Sequence, residues 1–315
     1  MRTLNPRASM RAPREDAAIP FPSEEQTPPV TNISFFMGFQ YPHPWGSLST
    51  GWREWKNNYF EYRIRYMDES PSLLERGLST LGIQGRDQVL ETLLRYVREI
   101  EVWNPTYGLV NAAGQDLIIK HILDSLAPWR LLEELLIECD QAVAGNAAGK
   151  AGESIVGPDG PKSPERSTLT DIGTGAGLPG IPLSVIIPTR KFKLVERMGK
   201  RTTFLESQKT ILSLNNVEII EGEAERAVGP HDIVLFRAFR PFSELKLFKS
   251  IWKALKPGGA LFAYKGKQFN AKLELAGMAV DPVLAAPFAQ AQIQPVWVPF
   301  LEEERCVVIV RKPRL

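Results

Sequence analysis

Hydrophobic positions follow two different periods along the chain, and the change between them divides it. From about residue 68 to 138 the spacing is helical. The stretch "GRDQVLETLLRYVREIEVW" sets Val89, Leu93, Tyr96, Val97 and Ile100 on one helix face. "GQDLIIKHILDSLAPWRLLEELLIE" carries a second apolar stripe, interrupted at Pro128. Beyond it, short apolar runs at 168–172, 191–196, 217–220, 232–237 and 260–265 alternate with amphipathic helical segments. Such alternation predicts a mostly parallel sheet covered by helices on both faces. The end differs: "QIQPVWVPFLEEERCVVIVRK" reads as two strands joined through the acidic turn Glu302–Glu304. That hairpin closes the sheet with an antiparallel strand. The expected class is α/β, a seven-stranded, mostly parallel sheet with a C-terminal antiparallel hairpin and a helical N-terminal cap.

Residues 1–45 show neither period and are rich in Pro, Ser, Thr and Arg, and 46–66 set aromatics among charges; together 1–66 read as a disordered extension, with Met67 as a candidate true start. Its tryptophans, Trp45, Trp52 and Trp55, carry no pattern of their own. Residues 67–139 read as the helical cap. Residues 140–168 are Gly-, Ala-, Pro- and Ser-rich and read as a flexible insertion, and 169–315 form the α/β domain.

Composition narrows the classes. Over 315 residues, 43% hydrophobic and 23% charged is a soluble globular profile. A net charge of +2 means that any nucleic-acid surface must be local. No apolar run reaches the roughly 18 residues of a membrane span, and no signal-peptide core follows the N-terminal arginines. Cys139 and Cys306 lie far apart without metal-ligand spacing. The expectation is a cytoplasmic protein with no membrane partner and no metal.

The chemistry concentrates in "LTDIGTGAGLPGIP", Leu169–Pro182, where a strand runs into a glycine-rich turn. Gly175, Gly177 and Gly180 fit a dinucleotide register, whereas Asp171, Gly173, Gly175 and Gly177 fit an S-adenosylmethionine register. Charge separates the two. A pyrophosphate wants N–H groups and no adjacent carboxylate. S-adenosylmethionine carries an ammonium and a sulfonium, which an acid helps. Asp171 closes the strand where it would repel a pyrophosphate. Glu196, ending the next strand, suits the ribose of either ligand. "ALKPGGALF" at 254–262, a helix ending in Lys-Pro-Gly-Gly before a strand, recurs in S-adenosylmethionine enzymes. Gly258 and Gly259 also fit a plain helix C-cap. Together with the terminal hairpin, these features favour a Rossmann-like class I S-adenosylmethionine-dependent methyltransferase fold.

"DIGTGAGLPGIPLSVIIP", "GKRTTFL" (199–205), "RAF" (237–239) and "YKGK" (264–267), with "WNPTYGLV" and "KHILDS" upstream, carry a closer likeness. Over about 68–315 the chain resembles the small-subunit (16S) ribosomal RNA guanine-N7 methyltransferases, also called the glucose-inhibited division protein B family. The resemblance implies methyl transfer from S-adenosylmethionine to N7 of a guanine in small-subunit ribosomal RNA or the 30S particle. It implies that Gly173 and Leu178 line the cofactor and that Ala224 and Glu225 border its adenine. Arg237 would sit at the active site and contribute to cofactor binding. Lys200, Arg201 and Lys265 would face RNA or the target base, with Arg237 and Lys265 as the catalytic pair.

The residues accommodate that chemistry. N7 of guanine has a lone pair and no proton to lose, so transfer needs alignment and exclusion of water, not a general base. The three histidines, His43, His121 and His231, lie in no catalytic motif. The base must then be held through O6, N1 and N2. Local positive charge for RNA comes from Arg190, Lys191, Lys193, Arg197, Lys200 and Arg201, then Arg237, Arg240, Lys265 and Lys267. His121 and Asp124, three apart on a helix, read as a local hydrogen bond or cap, and Tyr107 as packing between cap and sheet. A monomer suits docking on a large RNA. The alternatives are a methyltransferase of another RNA or a small molecule, and a non-catalytic RNA-binding module.

Overall fold

The protein was described from a computed structural model, which covers residues 70–148, 166–224, 229–238 and 240–314. The expected N-terminal extension with its tryptophans and His43, most of the expected insertion, and Glu225 lie outside the described residues.

The apolar runs become strands β1 (Leu169–Ile172), β2 (Phe192–Glu196), β3 (Val217–Glu221), β4 (His231–Arg237) and β5 (Leu255–Lys265), all parallel. The hairpin supplies β6 (Gln292–Val296) and β7 (Arg305–Arg311), and β7 inserts antiparallel between β5 and β6. The seven-stranded order is β3-β2-β1-β4-β5-β7-β6. This is the mostly parallel, hairpin-closed seven-stranded arrangement expected from the sequence. The order reverses between β1 and β4, which opens a crevice at the carboxyl ends of those strands, where open α/β sheets bind ligands.

Both faces of the sheet are buried, and strand alternation assigns each side chain to one of them. On β4, Ile233 and Leu235 belong to one apolar cluster and Val234 and Phe236 to the other. On β5, Phe262 and Tyr264 face the first, Leu261 and Ala263 the second. The second cluster is covered by α8 (Leu245–Ala254), α9 (Gln268–Gly277) and α10 (Ala285–Ala289).

The first cluster is covered by α6 (Gly180–Ile186) and α7 (Gly199–Ile211) together with the N-terminal helices. These are α1 (residues 70–80), α2 (Arg86–Tyr107), α3 (Gln115–Leu117), a π-helical turn (Ile118–Leu123), α4 (Asp124–Leu126) and α5 (Trp129–Ala148). Leu93, Tyr96, Val97 and Ile100 are buried in this cluster, on the helix face that periodicity selects. The N-terminal helices therefore share one continuous core with the sheet. Trp103 of α2 packs tilted against Tyr107 and edge-on to Phe204 of α7.

Two local expectations are corrected. Helix α5 runs to Ala148, past the expected start of the insertion at 140, because alanines sustain a helix there despite Gly145. The Lys-Pro-Gly-Gly segment is not a helix C-cap. Helix α8 ends at Ala254, and the segment lies inside β5 as an irregularity: Leu255 pairs with His231, then Ala260 with Ile233. Gly258 takes φ +79° and donates to Lys312 O, while a Cβ on Gly259 would meet Asp232 O at 2.5 Å. Glycine is needed here for close backbone approach.

Candidate functional site

The glycine loop leaves β1 and crosses to the end of β2. Gly173 N and Thr174 N both donate to Val195 O, at 2.9 and 3.2 Å. Gly175 N donates to Glu196 Oε2 at 3.0 Å, and Glu196 Oε1 accepts from the amides of Arg197 and Met198, each at 2.9 Å. Glu196 is buried and so ties the loop, the end of β2 and the start of α7 into one unit. A carboxylate has about four lone-pair sites, so one remains for a ribose hydroxyl.

The loop glycines do different jobs. A Cβ on Gly177 would overlap Ile181, and one on Gly180 would overlap Leu194 and approach Asp171 Oδ2 at 2.9 Å. Both glycines let α6 pack tightly behind the loop. Gly175 is the open one: at φ +60°, its added Cβ would meet only Arg201 Nη1, at 3.8 Å. Leu178 is buried in the larger apolar cluster, so its side chain belongs to the core. Ala224 is half-buried beyond β3.

Asp171 is fully buried at the strand end. Its Oδ2 accepts from the Thr174 hydroxyl at 2.6 Å and Gly180 N at 2.9 Å, whereas Oδ1 has no partner. Burial pushes its carboxyl up to about 6, against the lowering effect of the Thr174 and Gly180 hydrogen bonds and of nearby Arg237. A buried carboxylate oxygen without a partner is costly unless a ligand supplies a donor or a positive charge. The open Gly175 face, this Oδ1 and the residual capacity of Glu196 fit a cationic, ribose-bearing cofactor and fit a pyrophosphate poorly.

Arg237 closes β4 and is gripped from the N-terminal helices. It donates to Asp124 Oδ2 at 2.8 Å, to Lys120 O at 3.1 Å and to His121 Nδ1 at 2.8 Å. Arg305, which opens β7, donates through Nε to Asp124 Oδ1 at 3.1 Å. His121 and Asp124 thus do not form the local cap expected from their spacing; both hold Arg237. The grip comes from the π-helical turn, a widened turn frequent at functional sites. Burial and the Arg237 charge lower the His121 pKa to about 4. A guanidinium only donates, so Nδ1 is the acceptor and the neutral ring carries its proton on Nε2.

Between the ends of β4 and β5 lies a cavity of about 440 Å³, bordered by Arg237, Tyr264, Lys265, Glu274, Asp124 and Arg305 among others. The volume is within the range of about 300–1,000 Å³ of small-ligand pockets. Lys265 is neither free nor solvent-facing. Its Nζ pairs with Glu274 Oε2 at 2.6 Å and sits 4.2 Å from the Phe242 ring centroid. Two tyrosines pin the helices over the site: Tyr96 donates to Ala176 O of the loop, and Tyr264 to Ser125 O at 2.8 Å.

The remaining basic residues split by location. Lys200, Arg197 and Lys267 are exposed at the carboxyl edge of the sheet. Arg201 is half-buried over the glycine loop, its Nε buried without a partner. Arg190 and Lys191 precede β2 and so lie at the opposite edge, where Arg190 pairs with Asp140 at 2.7 Å. They are excluded from the site mouth by topology. Arg240 pairs with Glu244 at 3.0 Å. Sequence reasoning missed Glu274, Arg305, Tyr96 and Lys120 as site residues. None sits in a glycine motif or at the end of a parallel strand.

Comparison with known proteins adds an independent finding. Residues 159–282 match the family model described as rRNA small subunit methyltransferase G. The chain is 34% identical over 257 residues to the ribosomal RNA small subunit methyltransferase G of Treponema denticola, covering 78% of this chain and 95% of that protein. It is 30% identical to the protein of the same name from Erwinia tasmaniensis, covering 75% of this chain and 96% of that one. The like-named protein of Bordetella avium is 28% identical, covering 76% of this chain and 92% of it. Among the described residues, no helix is long and apolar enough to cross a membrane.

Proposed function

We propose that the chain, which belongs to the rRNA small subunit methyltransferase G family, moves a methyl group from S-adenosylmethionine to N7 of a guanine in small-subunit ribosomal RNA. One observation carries the reading. The glycine loop, with its open Gly175 face and the unpartnered Asp171 Oδ1, leaves β1, which pairs with β4, and the end of β4 borders the polar cavity. Asp171 pairs with Leu235 in the sheet, so the two strands deliver the loop and Arg237 side by side. Neighbouring strands are about 4.8 Å apart.

S-adenosylmethionine, when bound, supplies an electrophilic methyl on a sulfonium. The chain supplies the rest. The Gly175 face admits the ligand, Asp171 offers negative charge to its cationic part, and Glu196 accepts from the ribose. Gly173 and Gly177 shape this cradle, Leu178 backs it, and Ala224 borders the adenine side. Arg237 and Lys265 are the residues that meet the base. The attacking nitrogen has no proton, so no general base is required, and neutral His121 is a holder of Arg237 and not a proton acceptor. Methylation turns a neutral base into a cation. Asp124 and Glu274 offset the charges of Arg237 and Lys265, so these cations donate hydrogen bonds without strongly opposing the product charge.

Lys200, Arg201 and Lys267 attract the phosphate backbone around the mouth. Cradle and cavity are both built from one chain, so the working unit in this reading is a monomer, acting in the cytoplasm where small subunits assemble. The test uses small subunits that lack the modification, incubated with the protein and methyl-labelled S-adenosylmethionine. Reduction and aniline cleavage then cut the RNA at N7-methylguanine. A single labelled, cleavable guanine is expected. Label without cleavage would remove N7, and no label with intact cofactor binding would remove the RNA substrate.

A further inference from the structure

We propose that Glu274 is a specificity-determining residue that reads the N1–H and 2-amino edge of the target guanine. The inference rests on the methyl-transfer reading above and deepens it. A guanine that turns N7 toward the cofactor carries its other polar atoms on the remaining edges. These are an O6 acceptor and two neighbouring donors, N1–H and the 2-amino group. The donors require an acceptor, and one carboxylate oxygen, with two lone pairs, can take both.

Among the described residues bordering the cavity, the carboxylates are Asp124 and Glu274. Asp124 is committed on both oxygens, Oδ2 to Arg237 and Oδ1 to Arg305. Glu274 is committed on one. Its Oε2 accepts from Lys265 Nζ at 2.6 Å and from Phe242 N at 3.2 Å, and Oε1 takes no hydrogen bond from the described residues. These two bonds hold the carboxylate in place before any base arrives, which removes ordering cost from recognition. Lys265 Nζ adds the complementary half. It has three N–H donors and stands beside the carboxylate, so acceptor and donor are presented together, as N1–H and O6 require.

Adenine would meet this pair with the opposite polarity. Its N1 lone pair would face a carboxylate oxygen and its 6-amino group an ammonium. A site built to hydrogen-bond a substrate group discriminates strongly against an analogue that leaves its polar groups unpaired. A purely structural Lys265–Glu274 pair would leave base preference untouched. The two roles therefore separate in substrate selectivity.

The experiment measures single-turnover methyl transfer on small subunits reconstituted with guanine or inosine at the mapped position. Inosine keeps O6, N1–H and N7 and lacks only the 2-amino group. The wild-type protein should prefer guanine by about tenfold or more, the worth of one hydrogen bond to a charged group. Glu274→Gln should lose transfer to guanine by at least about tenfold, and its guanine-over-inosine preference should collapse to within about twofold. Its affinity for S-adenosylhomocysteine should stay unchanged, which certifies the fold. A variant that loses both substrates equally and keeps the preference would overturn the proposal. A wild-type ratio near one would overturn it as well, and this decides the matter even where the variant fails to fold. A wild-type protein that labels no guanine would remove the methyl-transfer reading, and the proposal with it.

Discussion

On the β1–β2 side, the loop that would hold the cofactor is closed by backbone amides and two carboxylates, all between Leu169 and Arg197–Met198. On the β4–β5 side, the cavity is closed by side chains drawn from Asp124, Arg237, Lys265, Glu274 and Arg305. The first half is local and bonded through main chain, so its geometry follows from a short sequence. The second is assembled across the whole fold, and each of its cations is oriented by a partner from another element. The difference teaches where each half is vulnerable. The loop fails when a backbone position is blocked. The cavity fails when one member of a charged network is removed and the others lose their direction.

The largest effect is expected at Gly175. A valine there would fill the open face and force a β-branched residue to φ +60°. Gly175→Val should show no cofactor binding by equilibrium titration while losing about 1–3 kcal/mol of fold stability. Next, Arg237→Ala should cut methyl transfer by about a hundredfold or more in label-incorporation assays, the scale of losing a preorganised donor. Asp124 keeps Arg305 as a partner, so the fold should survive.

A smaller effect is expected from pH. With the Asp171 carboxyl raised to about 6, its ionised form is the one that attracts a cationic ligand. Cofactor affinity should fall as pH drops through 6, by up to about tenfold per unit below it. Asp171→Asn should bind weakly at every pH, with that slope gone. Stability moves the other way. The folded protein holds this proton more tightly than the unfolded chain, so the contribution favours folding at low pH and is lost as pH rises toward 6. His121, lowered to about 4, opposes it, because its neutral folded form gains stability as pH rises through the same window. The smallest effect belongs to the exposed rim: Lys267→Glu should weaken RNA binding severalfold and flatten its logarithmic salt dependence by about one unit.

The parallel strands, the hairpin and the buried face of α2 were legible because hydrophobic period is a local signal that tertiary burial follows. The glycine loop, Asp171 and Glu196 were legible for the same reason, since turn chemistry lies in adjacent residues. Lys-Pro-Gly-Gly read as the end of a helix and lies instead within β5. Its two glycines serve either a helix end or a close strand approach, and only the position of Asp232 O decides. The role of His121 and Asp124 was illegible because their partner, Arg237, is distant in sequence. Spacing of three on a helix suggests a local contact, and the π-helical turn that redirects the pair leaves no mark in residue types. Arg190 and Lys191 looked like site residues by charge alone, whereas the strand direction places them at the far edge.

The separation of the two halves rests on one measurement, the cofactor affinity of Arg237→Ala by equilibrium titration with S-adenosylhomocysteine. The account predicts an affinity within about threefold of the wild-type protein while transfer to RNA is lost, because the loop is closed by its own backbone and carboxylates. A loss of cofactor affinity in proportion to the loss of transfer would contradict it, and would make Arg237 a part of the cofactor cradle itself.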